Sequence, residues 1–413
     1  MTRFLPALAF AAALAPAAAR PAAPAFVVPR DSYLIDEPIP FVLEGLQPGA
    51  EVTIALRGGP PDNPQTSHAT FAPDAAGRVE IATAVPLHGS SYAAPDVMGL
   101  FWSAKPDHNG RRRVSTDDIR AGQPWTISAA IGTRVVAETT VIRRAVDPAV
   151  RIRRLRERGL IGTLYEPADG GAHPAVIVLT GSGGGIPPPA GPAGGLASRG
   201  YTVLALAYFN AEGLPPTLSN IRLEYFGTAL QWLAEQPSVD PDRIGVLGAS
   251  RGAELALLLG VVYPHLHAVA AFEPSNVVWR GCCDRFSTVA WTFQGRPVPT
   301  GEIAVERIGG AILLVSGKSD GVWDSAGMGA AIVSRLKKHD FPFPVRHLSY
   351  EHAGHGIGRP YSTTMNLDAL VHPLTGRVIP MGGTPEGTAH AREDSWRALL
   401  EFLDANLARR PGV

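Results

Sequence analysis

Apolar runs in the second half of the chain are nearly continuous, and they alternate with segments of helical character. Six runs are candidate strands: 175–180, 202–207, 244–247, 268–272, 311–315 and 345–350. Four segments are candidate helices, at about 218–234, 250–262, 325–338 and 393–407. Strands that are apolar on both faces, with helices between them, are typical of a mostly parallel sheet covered by helices. From about Gly162 onwards the pattern therefore predicts an α/β domain.

The pattern between residue 24 and about residue 147 is different. Short β-prone runs are broken there by Gly, Pro, Asn and Asp. These runs are 41–45, 51–56, 78–83, 126–131 and 135–142. Strands at this spacing predict a small antiparallel β-sandwich. The sandwich carries no cluster of residues that could do chemistry, and its basic run at 111–113 is interpreted as a solvated turn.

The amino terminus has the three parts of a bacterial signal peptide. Arg3 precedes an apolar stretch at 4–15, and small residues follow as far as Ala19. The apolar stretch is too short to span a bilayer, so stable membrane insertion is not expected. We predict three units: a signal peptide at 1–23, the sandwich at 24–147 and the α/β domain at 148–413. The mature protein is then periplasmic or secreted. A disordered Ala/Pro-rich leader on a cytoplasmic protein is the alternative.

Composition narrows the classes of function. The 413 residues favour two domains, and equal totals of 37 basic and 37 acidic residues give no field that favours nucleic acid. The two cysteines, Cys282 and Cys283, are adjacent and lack the spacing of a zinc site. A strained vicinal ring is one reading of this pair, and two thiols in a loop is the one we favour. No metal or cofactor is predicted.

The candidate nucleophile is Ser250. It lies in the sequence Gly248-Ala-Ser-Arg-Gly252, between a predicted strand and a predicted helix. Glycines two residues before and after the serine allow a very sharp turn because they have no Cβ. This arrangement is the nucleophile elbow of an α/β-hydrolase. A glycine-flanked serine in an ordinary strand-to-helix turn is the alternative, but the flanking elements favour catalysis.

A serine hydroxyl needs a base, and the base needs an acid that orients it. In this fold the acid follows a late strand and the histidine follows the last one. Asp320 and His355 occupy those places. Asp324 is more typical of a helix start.

Two other histidines compete with His355. His352 is closer to the last strand, and His347 lies within it. The glycines around His355 suit a loop that directs the ring into a site, so His355 is preferred.

The oxyanion of an acyl-transfer reaction needs two backbone N–H donors. We expect one from Arg251, the residue after the nucleophile. The other is expected from the glycine-rich loop at 181–185, at Ser182 or Gly183, where glycines let the backbone approach the substrate. A surface turn and a dinucleotide-binding loop are the alternatives. The loop lacks the G-x-G-x-x-G frame and the following helix that a dinucleotide-binding loop has.

Several segments together resemble the acyl-CoA thioesterase and bile acid-CoA:amino acid N-acyltransferase family. They are 199–210, Leu214-Pro215, 223–226, the glycine-rich loop, the elbow, 320–325, Gly354-His355 with 359–361, 382–385 and the closing helix around Trp396. The resemblance covers nearly all of the mature chain. It implies a catalytic triad of Ser250, Asp320 and His355. It also implies that CoA is part of the substrate and is released by the reaction.

Members of this family that transfer acyl groups to amino acids carry cysteine as the nucleophile, whereas this chain has Ser250. The resemblance therefore implies hydrolysis of acyl thioesters to free acid and CoA. Alternatives are an exported carboxylesterase or peptidase, an acyltransferase to an amino acid, and an exported binding protein without activity. The expected partner is a small acyl thioester or ester and not a nucleic acid. The sequence makes no prediction of oligomeric state or acyl-chain length.

Overall fold

The computed structural model describes residues 23–107, 121–188, 191–283, 289–365, 367 and 370–407. The predicted signal peptide and the basic run at 111–113 lie outside the described residues.

Two sheets with a shared apolar core form the amino-terminal region. In spatial order the larger sheet contains Ser32–Leu34, Arg134–Arg144, Gln123–Ile131, Val52–Gly58, Gln65–Phe71 and Lys105–Pro106. The smaller sheet contains Ala25–Val27, Val42–Glu44 and Val79–Glu80. Neighbouring strands in both sheets pair antiparallel, except that Ser32–Leu34 pairs parallel with Arg134–Arg144. Alternate residues such as Ile54 and Leu56 point into the core, which also contains Leu43 and Val79 from the smaller sheet. The predicted antiparallel sandwich is confirmed.

Three details of this region differ from the sequence prediction. The strand Gln65–Phe71 was not predicted, because Ser67 and His68 interrupt its apolar pattern. The predicted strand at 78–83 keeps only Val79–Glu80, since Thr83 N–H donates to Glu80 O and closes a turn. A short helix at Gly99–Trp102 was also missed.

An eight-stranded sheet organises the rest of the chain. In spatial order its strands are Arg151–Glu157, Leu160–Glu166, Thr202–Ala207, His173–Leu179, Val239–Ala249, Ala268–Phe272, Ala311–Gly317 and Val345–Tyr350. The first two pair antiparallel, and the other six are parallel to one another. Loops after the six parallel strands meet at one edge, where an α/β-hydrolase carries its site. The predicted fold class is confirmed.

Helices cover both faces of this sheet. Glu224–Ala234, Arg251–Val262 and Ser325–Lys338 pack on one face, and Pro192–Ala197 and Pro385–Leu407 on the other. A 3-10 turn lies at Val305–Arg307. Two small sheets join Ile221–Arg222, Trp291–Phe293 and Arg296–Pro297 in one case, and Val277–Val278 and Gly301–Glu302 in the other.

The final helix begins at Pro385, eight residues before the predicted start at 393. Thr384 Oγ1 accepts the Gly387 N–H at 3.0 Å, which is the bond of a helix N-cap. Proline at the first helical position has no N–H to leave unsatisfied. Thr384-Pro385 was therefore a start signal that the apolar pattern alone did not reveal.

Asp36 joins the sandwich to the hydrolase region. Its buried carboxylate accepts the Trp396 indole N–H at 2.8 Å and pairs with Arg199 at 2.5 Å. Because Trp396 lies on the final helix, these bonds fix that helix against the sandwich.

Candidate active site

The nucleophile elbow requires its two glycines. A Cβ on Gly248 would overlap the carbonyl oxygen of Gly252, and a Cβ on Gly252 would lie 2.5 Å from Thr180 O. Ser250 itself has φ +57° and ψ −122°, a backbone conformation that costs about 1–3 kcal/mol for a residue with a side chain. Its N–H donates to Phe272 O at 2.8 Å. This backbone conformation directs the Ser250 hydroxyl away from the sheet edge and towards His355.

The structure brings Ser250, His355 and Asp320 together in one chain of hydrogen bonds. Ser250 Oγ lies 2.9 Å from His355 Nε2, and His355 Nδ1 lies 2.8 Å from Asp320 Oδ2. Since an ionised carboxylate can only accept, Nδ1–H donates to Asp320, and Nε2 is left to accept the serine proton. Asp320 Oδ1 accepts the N–H groups of Val322 at 2.9 Å and Trp323 at 3.2 Å. The carboxylate orientation is thereby fixed.

The electrostatics of the pair favour a charged histidine. Burial opposes ionisation of Asp320, but hydrogen bonds from His355, Ser325 and Val322 outweigh it and hold its pKa below the usual range. Burial also opposes protonation of His355, which is 6% exposed. The bond to Asp320 and the nearby charge of Glu273 outweigh that effect and raise the pKa of His355. A protonated His355 is therefore stabilised at this position.

The competing residues have other roles in the structure. Asp324 caps the helix Ser325–Lys338, and its carboxylate accepts the Gly327 N–H at 2.8 Å. His352 is exposed. His347 Nε2 lies 2.7 Å from Ser316 Oγ inside the sheet layer, and burial lowers its pKa. Neither histidine is hydrogen-bonded to Ser250.

Both candidate oxyanion donors lie beside the nucleophile. Arg251 begins the elbow helix, and the first N–H groups of a helix have no intrahelical acceptor. A Cβ on Gly181 would lie 3.5 Å from Ser250 Oγ, which places the glycine-rich loop next to the hydroxyl. Gly184 N–H closes a turn onto Gly181 O. Within the described ranges, no protein acceptor takes a bond from the N–H groups of Ser182 or Gly183.

The Arg251 side chain fixes the start of the elbow helix. Its Nε lies 3.1 Å from Glu254 Oε2, and its guanidinium donates to Arg280 O at 2.8 Å. Glu254 is fully buried and also accepts the Trp291 indole N–H at 2.7 Å. Burial raises the pKa of Glu254 to about 7. These bonds hold the first helical turn, and with it the Arg251 N–H, in place.

His372 lies near the site, although no sequence signal predicted it. Its Nδ1 accepts the N–H groups of Leu374 and Thr375, so Nε2 carries the proton, and that nitrogen lies 3.0 Å from Ser182 Oγ. Cys283 Sγ lies 3.5 Å from Ser182 O. His372 therefore contacts the glycine-rich loop at 181–185 through the Ser182 side chain. Its loop has no local pattern that marks it.

The adjacent cysteines lie close to Ser182 and His372. Cys282 Sγ and Cys283 Sγ are 2.7 Å apart, and the two residues form no disulfide in the structure.

An apolar cavity of about 190 Å³ opens beneath the elbow. Its walls come from three neighbouring strands, the loop after Ser182–Gly183 and the residues after His355, and include Val178, Leu247, Pro188, Phe272, Ile357 and Arg359. A pocket of this kind fits a hydrocarbon group better than a polar one.

No group of three His, Cys, Asp or Glu side chains in the described ranges could hold a metal ion. None of the described helices combines the length and apolar character needed to cross a bilayer.

Two family profiles match the chain. The profile described as "Acyl-CoA thioester hydrolase/BAAT N-terminal region" matches residues 36–157. The profile described as "BAAT / Acyl-CoA thioester hydrolase C terminal" matches residues 221–283 and 281–409. The first spans most of the sandwich, and the second spans the elbow, Asp320 and His355.

Similar proteins align over most of both chains. Acyl-coenzyme A thioesterase 1 of Rattus norvegicus is 30% identical over 404 residues, 90% of this chain and 94% of the relative. Acyl-coenzyme A thioesterase 2, mitochondrial, of Homo sapiens is 29% identical over 96% of this chain and 86% of its own. Acyl-coenzyme A amino acid N-acyltransferase 1 of Mus musculus is 30% identical over 91% and 95%.

Among solved structures, a dienelactone hydrolase-like promiscuous phosphotriesterase from metagenomic libraries aligns with a TM-score of 0.43 and 19% identity. The alignment covers 63% of this chain and 99% of that one.

Proposed function

The chain belongs to the acyl-CoA thioester hydrolase/BAAT family, and we propose that it hydrolyses acyl thioesters through Ser250, His355 and Asp320. That it is a thioester hydrolase follows from the family and from those relatives that are named acyl-CoA thioesterases. The observation that supports the triad is the unbroken chain of hydrogen bonds from Asp320 to His355 to Ser250.

Each step uses an atom already in place. Ser250 Oγ attacks the thioester carbonyl while His355 Nε2 takes its proton, and Asp320 stabilises the resulting imidazolium. The N–H groups of Arg251 and of Ser182 or Gly183 receive the oxyanion. Collapse of this intermediate breaks the C–S bond, and the leaving thiolate takes the proton from His355 as an acyl-serine ester forms. Water, deprotonated by His355, then attacks the ester, and Ser250 Oγ takes that proton back from His355 as the acid is released.

Water is the proposed acceptor because the nucleophile is serine. An acyl-serine is an oxyester, which is less prone to attack by an amine than the thioester of an acyl-cysteine. Mus musculus acyl-coenzyme A amino acid N-acyltransferase 1 is among the relatives, so the acceptor has to be tested directly.

The apolar cavity beneath the elbow is the proposed place for the acyl group. Its lining residues Leu247 and Phe272 precede Ser250 and Glu273 on neighbouring strands, and Ile357 follows His355 by two residues. An acyl chain in this cavity would leave the CoA portion towards solvent. A larger side chain in the cavity, as in Leu247→Phe, should lower kcat/KM for long acyl chains more than for acetyl-CoA.

The test of the proposal is a hydrolysis panel on the purified mature protein, with acyl-CoA esters of increasing length and simple p-nitrophenyl esters. Thioester hydrolysis that Ser250→Ala abolishes supports the proposal. Hydrolysis of oxygen esters alone would instead favour a carboxylesterase.

We also propose that the protein is exported, since residues 1–23 have the parts of a signal peptide. The first described strand of the sandwich is Ala25–Val27, so cleavage near Ala19 would leave every described element in the chain. CoA thioesters are intracellular, and an exported enzyme would act on another acyl thioester or ester. Amino-terminal sequencing of protein from the native host tests this: cleavage near Ala19 supports export, and an intact Met1 or Thr2 contradicts it.

A further inference from the structure

Glu273 is a buried carboxyl group behind the site that the proposed mechanism does not use. It follows the strand Ala268–Phe272, which neighbours the strand that carries Ser250. Only 2% of the residue is exposed. Its φ of +47° lies in the left-handed region, where a residue with a side chain is strained. A strained and buried acid at a sheet edge calls for a compensating role.

The contacts of Glu273 join three loops of the site. Its Oε1 accepts the Ile357 N–H at 2.6 Å, two residues beyond His355. Its own N–H donates to Val315 O, on the strand that leads to Asp320. Phe272, the residue before it, accepts the Ser250 N–H. A shift of Glu273 would therefore displace the backbone that carries the imidazole.

Three charged or titratable groups face the Glu273 carboxyl group. They are His355 and Asp320 on two loops, and Arg392 on the final helix. Arg392 is buried as well, and its Nε–H donates to Gly356 O at 2.7 Å, between His355 and Ile357. Two buried side chains therefore hold the loop after His355. Glu273 accepts the Ile357 N–H, and Arg392 donates to the Gly356 carbonyl oxygen.

Burial raises the pKa of Glu273 to about 7, against the opposing effects of the His355 charge and the Ile357 hydrogen bond. The group therefore changes charge in the range where a histidine base works. When it is ionised it raises the pKa of His355.

We propose that Glu273 is a positioning residue for His355, which it holds through the Ile357 N–H and whose positive charge it supports when ionised. The proposal rests on His355 being the base of the proposed hydrolysis. Asp320 remains the direct partner of the imidazole, and Glu273 acts through the Ile357 N–H and through its charge.

Two substitutions separate the two parts of this role. Glu273→Gln keeps an oxygen that can accept the Ile357 N–H but removes the charge. His355 then loses a stabilising charge, so its pKa falls and it becomes a weaker base. The acid limb of the pH profile is the fall in kcat/KM at low pH. We expect the midpoint of this limb to lie about one pH unit lower in Glu273→Gln than in the wild type. Since the rate of general-base catalysis follows the pKa of the base with a slope below one, kcat on the plateau should fall by less than about tenfold, with KM little changed.

Glu273→Asp keeps the charge but is one methylene shorter, which stretches the hydrogen bond to Ile357. The acid limb should stay near its wild-type position while kcat falls. Glu306→Gln is the control, because Glu306 pairs with Arg335 on the surface and is not part of the site. Its pH profile should match the wild type.

The experiment measures thioester hydrolysis against pH for these variants of the full mature protein, with thermal unfolding as the check on folding. An acid limb in Glu273→Gln that coincides with the wild type would overturn the proposal. If Glu273→Gln does not fold, Glu273→Asp decides, because it tests the hydrogen bond to Ile357: a folded Glu273→Asp enzyme with wild-type kcat would overturn the proposal. Ser250→Ala is assayed in parallel: if it retains activity, the proposed function itself has failed.

Discussion

Asp320→Asn tests whether the acid orients His355 as the geometry requires. The substitution is isosteric, so folding should be preserved, but the amide has one accepting and one donating end. Asp320 Oδ1 accepts two backbone N–H groups, from Val322 and Trp323. The amide oxygen must take that place, because an NH₂ there would face two donors. The NH₂ group then points at His355 Nδ1, at the 2.8 Å position now filled by Oδ2.

An NH₂ donor facing Nδ1 makes that nitrogen the acceptor and moves the imidazole proton to Nε2. Nε2–H cannot accept the Ser250 proton, so the base is present but in the wrong tautomer. We expect kcat to fall by about 10⁴, the size of effect seen when the triad tautomer is reversed. The assay is thioester hydrolysis at neutral pH, with thermal unfolding measured on the same preparation.

Asp324→Asn is the matched control, four residues further along the chain. Asp324 caps a helix, and asparagine caps as well as aspartate. Its activity and stability should therefore remain at wild-type levels. An Asp320→Asn enzyme within tenfold of the wild type, or a defect of equal size in Asp324→Asn, would refute the assigned role.

Three further predictions follow from the same geometry. Because the pKa of His355 is raised, activity should be full above that pKa and lost as the pH falls through it, with an acid midpoint in kcat/KM above the ordinary histidine value near 6.5; a midpoint well below 6 would contradict this. Gly252→Ala should lower the free energy of unfolding by about 1–3 kcal/mol and also reduce kcat, since the new Cβ would press on Thr180 O next to the oxyanion loop; denaturant titration and turnover of the same sample check it, and wild-type values for both would count against a tight elbow. Hydrolysis in the presence of glycine or taurine should yield free acid rather than amide, as measured by mass spectrometry, and a dominant amide product would reverse the assignment to an acyltransferase.

The apolar pattern predicted the bounds of three strands of the eight-stranded sheet: Thr202–Ala207, Ala268–Phe272 and Val345–Tyr350. The first two are buried at every residue, so continuous apolar character is a sufficient signal for them. Val345–Tyr350 is an edge strand and only half-buried, and its pattern is mixed. Gln65–Phe71 has one solvated face rich in polar residues, and its alternation was too weak to detect.

The site could be predicted where chemistry and chain order coincide. Ser250, Asp320 and His355 follow strands in the order typical of the fold, and the structure places them within hydrogen-bonding distance. Glu273 and His372 have no local motif. Their roles depend on contacts with Ile357 and Ser182, 84 and 190 residues away along the chain, and only the folded structure brings these residues together.

Turnover of an acyl-CoA thioester by folded Ser250→Ala is the most direct test of the central claim. Loss of a triad nucleophile typically lowers kcat by about 10⁴–10⁶, and the variant should also lose labelling by a fluorophosphonate probe. Its thermal unfolding should stay close to the wild type, since only one hydroxyl is removed. A well-folded Ser250→Ala protein that hydrolyses the thioester at a rate near the wild type would contradict the proposed mechanism.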